Sequence, residues 1–114
     1  MEIINKEKLQ ELRELSGGND DLLIDLLEKY TTNAAKYIAQ GREALQAGDS
    51  QKVQFAVHTM KGSSLSLGLT ELGEILTDLN ARSKGGDIEG FAEEFNRIET
   101  LLVEVEKFRK ELTA

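Results

Sequence analysis

The chain has 114 residues, with 14 Lys and Arg against 21 Asp and Glu for a net charge of −7, and 39 % apolar against 31 % charged residues; that suits one hydrophobic core in a single unit over 1–114 and no disordered tail. Without any Cys there is no disulfide framework, thiolate zinc site or Cys nucleophile. With a pI of about 4.8, the chain lacks the clustered Lys and Arg that neutralise nucleic-acid phosphates or bind anionic membranes.

Proline is absent, so nothing forces a break in a helix, and glycine punctuates instead at Gly17-Gly18, Gly48 and Gly85-Gly86. Each is followed closely by Asn, Asp or Ser, the residues that cap a new helix. A short first helix is predicted over about residues 5–15, with Leu9, Leu12 and Leu15 three apart. The second runs from about Asn19 to Ala47, its apolar residues recurring at three and four. The third covers about Ser50 to Leu67, and the fourth about Thr70 to Ser83 with Leu72, Ile75, Leu76 and Leu79 inward. The fifth covers about Asp87 to Leu112, carrying Ile88, Phe91, Phe95, Ile98, Leu102, Val105 and Leu112 at nearly heptad spacing. No stretch alternates as a strand does. Short connections make neighbours antiparallel. The expected fold is all-α: an up-down-up-down four-helix bundle with the short first helix capping one end.

No apolar run approaches the ~18–20 residues of a membrane span. Met1 to Lys8 carries charge instead of an apolar signal core. A cytoplasmic monomer is the expectation, with the initial Met and the complete bundle favouring a free-standing protein over a domain excised from a longer chain.

The third helix holds the only histidine, His58. On a wheel at about 100° per residue, Val53, Ala56, Val57, Met60, Ser63, Ser64 and Leu67 form the core face, and His58 points away from it. Gln51, Gln54, Lys61, Gly62 and Leu65 fall within about 60° of His58. Gly62 costs roughly 1 kcal/mol against Ala inside a helix, and the serines add several tenths each. Close helix packing explains Ser63 and Ser64, which are predicted to face inward. It explains Gly62 poorly; an outward glycine one turn from a histidine leaves room for another protein to approach the imidazole. Lys61 is a neighbour of His58 one turn on. It gives a neutral imidazole nothing, but a phosphorylated one a charge-assisted contact. Leu65 reads either as an ordinary exposed leucine or as the apolar centre of a docking patch.

The run His58-Thr59-Met60-Lys61-Gly62-Ser63-Ser64, continuing to Leu67-Gly68, resembles the signature of the histidine-containing phosphotransfer (HPt) domain: His-x-Leu-Lys-Gly followed by two small residues, then Leu-Gly. Leu15-Ser16-Gly17-Gly18-Asn19 and Ala44-Leu45-Gln46-Ala47-Gly48-Asp49 are similar to turns of that family before its long helices. Leu79-Asn80 and Gly86-Asp87 fall where it has a Leu-Gln or Leu-Glu pair and a second Gly-Asp turn. Met60 replaces the usual Leu, a volume-conserving swap. Leu69 stands where Ala is frequent.

The resemblance implies a phosphocarrier, not an enzyme with its own ATP-binding or hydrolytic site. His58 would take a phosphoryl group on Nε2 from a receiver-domain aspartyl phosphate and pass it to another receiver. Lys61 would accompany the phosphate and Gly62 would leave room for the partner. Family members can reach toward the histidine from the position of Asn80, here one methylene shorter than Gln. Lys84 reads either as solvated surface or as added positive charge near the site. Partners would be receiver domains of response regulators or hybrid histidine kinases. No cofactor is expected on this chain; Mg²⁺ would sit on the receiver. The rival reading is a helical docking module without chemistry. An ATP-dependent enzyme fits worst, for want of a Gly-rich phosphate loop.

Overall fold

With no proline to interrupt them, the apolar stripes settle into five α-helices: α1 Lys6–Leu15, α2 Asp21–Gln46, α3 Ser50–Ser66, α4 Thr70–Lys84 and α5 Phe91–Thr113. The computed structural model describes residues 3–113; Met1, Glu2 and Ala114, the outermost residues of the unit expected over 1–114, lie outside the described residues. No strand occurs among the described residues. None of their helices is long and apolar enough to cross a membrane.

Local chemistry sets the turns. Asp49 accepts a hydrogen bond from the Lys52 amide at 3.1 Å and caps α3, just after Gly48 turns the chain at φ 68°. At Gly68 the backbone is left-handed (φ 71°), and a Cβ there would lie 2.8 Å from the Lys8 Cβ, so conformation and space both call for glycine. The Gly68 carbonyl accepts from the Asn5 amide at 2.8 Å, which ties the start of α1 to the α3–α4 turn. The short helix therefore covers one end of the bundle, as predicted.

The fifth helix starts later than its pattern suggests. Asp87 is not its cap: the carboxylate accepts from the Glu89 amide at 3.1 Å and pairs with Arg82 at 3.0 Å. That closes a local Asx turn, and Gly90 at φ 77° then redirects the chain before Phe91. Asp87 acts as a staple between α4 and the turn, with Arg82 also lying 5.0 Å over the Phe91 ring. Leu15, spaced with Leu9 and Leu12 on α1, is the last residue of that helix and is 69 % exposed.

In cross-section α3 lies between α2 and α4, with α5 closing the bundle against α2 and α4. The body measures 46 × 22 × 21 Å, its length set by the 26-residue α2 at about 1.5 Å per residue. Leu23, Leu27, Val53, Val57, Leu76, Phe91 and Phe95 are fully buried in the centre. On α2, Gly41 lets the Phe95 ring of α5 approach; a Cβ there would lie 2.9 Å from the Phe95 Cζ.

Candidate functional site

His58 stands near the middle of the 17-residue α3 and is exposed, while Val57 and Met60 beside it are buried in the core. The helix is fixed on both flanks. From α2, the Tyr30 hydroxyl meets the Ser64 Oγ at 2.7 Å in a fully buried contact. Ser64 donates its own proton to the Met60 carbonyl at 2.7 Å, so Tyr30 is the donor of the pair. Burial pushes the Tyr30 phenol up to about 12. From α4, the buried Asn80 accepts at Oδ1 from the Gln54 Nε2 at 2.9 Å. The backbone that presents the imidazole is thus held by packing and by one polar contact on each side.

Helical side chains lean toward the N-terminus of their helix. The His58 ring therefore leans toward Gln54, and the Lys61 side chain leans back toward His58. A side chain at position 62 would lean the same way and overhang the ring. Gly62 is exposed, its φ is not positive, and a Cβ built on it would meet nothing within 4 Å. Neither backbone conformation nor packing within this chain calls for glycine there. Lys61 is half-buried and makes no ion pair with a described residue. Among the described residues none hydrogen-bonds to the His58 imidazole.

His58, Lys61, Gly62 and Leu65 come together on the outer face of α3. Leu65 is 52 % exposed, and its Cδ2 lies over Gly73 of α4, 2.6 Å from where a Cβ would be. Gln54 is half-buried and engaged with Asn80, so the Asn80 carboxamide reaches Gln54 and not the imidazole. The helices run antiparallel, so Lys84, one turn beyond Asn80, sits about two turns, or roughly 11 Å, along the axis from the level of His58.

One position on α3 departs from the wheel, and one exposed residue that the wheel places beside His58 adds to the face. Ser63, predicted inward, is exposed and donates to the Thr59 carbonyl at 3.1 Å. Phe55, not singled out in the sequence, is 60 % exposed on the face of His58 and meets Tyr37 edge-on at 6.5 Å. Both follow from one cause: the buried side of α3 is centred toward Val57 and Ser64, which turns Phe55 and Ser63 outward. The signal was on the wheel, since Phe55 lies about 60° from His58. Beside it a groove of about 410 Å³ runs between α2 and α3, lined by Gln40, Ala44, Gln51 and Phe55 among others.

The residues around His58 suit the signature noted in the sequence, and comparison with known families bears on it directly. The Hpt domain family model matches residues 25–108, from the second turn of α2 into the last turns of α5. The chain belongs to the Hpt family. Its place is therefore in phosphotransfer within two-component signalling. The match leaves α1 outside and covers every helix of the four-helix bundle. In three dimensions this Hpt domain is similar to histidine-containing phosphotransfer protein B (HptB) from Pseudomonas aeruginosa PAO1. The TM-score is 0.84 over 96 % of this chain and 92 % of that one, at 22 % identity, a likeness of fold. No curated protein gives a significant sequence match.

Proposed function

We propose that His58 is the phosphoacceptor of a phosphorelay intermediate, taking the phosphoryl group from a receiver-domain aspartyl phosphate and passing it to a second receiver. The observation that carries this reading is the open space at Gly62 beside an exposed imidazole. A helix interior holds its least favourable non-proline residue at a place where this chain's own structure gives no reason for it.

Displacement is in line. The Nε2 lone pair forms the N–P bond as the acyl P–O bond breaks, and the electron pair leaves on the aspartate carboxylate. The Nδ1 proton stays in place, so the phosphorylated ring is cationic. Such transfers depend mainly on positioning and on charge neutralisation. Lys61, leaning toward His58, supplies positive charge to the transferred group. Mg²⁺ belongs to the receiver. Phe55 and Leu65 flank His58 as apolar contacts for a receiver surface. The chain acts as a cytoplasmic monomer and a carrier, without hydrolytic or ATP-dependent chemistry of its own.

The test is incubation with a phosphorylated receiver. The wild type is expected to take up acid-labile label and His58→Gln none. Equal labelling of the two would remove the carrier role and leave a docking module without chemistry.

A further inference from the structure

Gln54 satisfies the buried Asn80 side-chain carbonyl oxygen with its Nε2, and that bond leaves its own Oε1 without a partner among the described residues. It lies one turn N-terminal to His58 on α3, the direction in which the imidazole leans. Its Nε2 donates to Asn80 Oδ1 at 2.9 Å. Asn80 is itself 5 % exposed and comes from the neighbouring helix, so it is a fixed anchor. With Nε2 committed to that anchor, the planar amide holds its Oε1 on the opposite edge, and that oxygen can only accept.

A transferable phosphoryl group needs one ring nitrogen with a free lone pair and the other carrying the proton. Nδ1 lies nearer the helix surface, and Nε2 projects farther toward a partner. We propose that Gln54 is a positioning residue: its Oε1, aimed by Asn80, accepts the Nδ1 proton of His58, keeps the ring in the tautomer with Nε2 free, and stays on that proton once the phosphorylated ring becomes cationic. The proposal rests on the carrier role of His58. It assigns Asn80 an indirect part, acting on the imidazole only through Gln54. The contact forms by rotation of the exposed ring and tightens as positive charge develops, as hydrogen bonds at reacting groups commonly do.

The test reads the tautomer directly, by long-range ¹H–¹⁵N NMR of the single histidine in the unphosphorylated chain at about pH 9, where imidazoles are neutral. The wild type is expected to be mainly Nδ1–H. Gln54→Ala should move the ratio toward Nε2–H by roughly 2- to 10-fold, the factor to which one net hydrogen bond converts. Asn80→Ala should move it in the same direction by less, and Gln54→Glu, whose carboxylate accepts from a turned Asn80 carboxamide and from Nδ1 alike, should keep the ratio near the wild-type value. A ratio unchanged in Gln54→Ala overturns the proposal, as does a wild type already mainly Nε2–H. A role confined to bracing α3 against α4 would lower the melting temperature of both alanine variants without moving the ratio, and that result also overturns it. The readout needs no phosphate, so its failure is distinct from failure of the carrier reading, which the His58→Gln labelling decides.

Discussion

Two glycines inside helices serve opposite ends here, and their contrast isolates the site. Gly41 is buried where α2 meets α5, and a methyl group there would press on Phe95, a ring with no exposed surface. Overpacking of this kind costs about 1–3 kcal/mol, more than the helix propensity gained, so Gly41→Ala should lower the melting temperature. Gly62 has open space, so Gly62→Ala should raise stability by up to about 1 kcal/mol. Gly62→Gln should also fold at least as well, yet its side chain would overhang His58 and slow phosphoryl uptake, on the order of 10- to 100-fold for a displaced reacting pair. Thermal melts and uptake rates on the same samples check this; a normal uptake rate in Gly62→Gln would dispose of the steric role. Lys61→Ala should slow transfer or shorten the life of the phosphorylated form, since the phosphate would lose a charge-assisted contact. Much of this was legible in the sequence, because the wheel places His58, Lys61, Gly62 and Leu65 together and the run from His58 to Gly68 carries a family pattern. The Gln54–Asn80 contact was not, since it depends on how α4 is registered against α3, which periodicity within one helix does not fix.

At the scale of an element, α3 is the helix that matters, and its composition alone would hold it poorly. Its helical state comes from packing and from the buried contact to α2. That contact is asymmetric. Removing the Tyr30 hydroxyl leaves Ser64 still donating to the Met60 carbonyl, so Tyr30→Phe should cost about 0.5–1.5 kcal/mol. Ser64→Ala strands the Tyr30 hydroxyl in the core and should cost more, about 1–3 kcal/mol. In the double variant most of the extra cost should vanish, because no unpaired polar group remains. Chemical denaturation of the three variants measures this, and equal costs for the two single changes would contradict the donor assignment. Helix existence and order followed from period and glycine spacing. The start of α5 did not, because Asp87 reads as a cap yet is spent on Arg82 and the Glu89 amide. Sequence cannot tell an Asp that caps a helix from one that closes a turn three residues earlier.

For the molecule as a whole, the same tyrosine sets a limit at high pH. The phenol titrates near 10.0 when exposed and at about 12 in the fold, because burial disfavours the phenolate. Below pH 10 the proton is bound in both the folded and unfolded states, and the group leaves stability independent of pH. Between pH 10 and 12 the unfolded chain releases that proton and the folded chain keeps it, so the unfolded state binds fewer protons and stability falls as pH rises. Above about 12 the loss is complete, at about 2–3 kcal/mol for a shift of this size. Lysine deprotonation also adds repulsion to a chain already at −7, so the wild-type curve alone would mix two causes. The difference between wild type and Tyr30→Phe separates them, since repulsion is common to both. Wild type should be the more stable by its hydrogen bond at neutral pH. The advantage should shrink through pH 10–12 and reverse, leaving Tyr30→Phe the more stable protein at the alkaline end. Urea denaturation at several pH values supplies the curve, and a difference that stays flat across that window would mean the phenol opens to solvent there without unfolding the bundle.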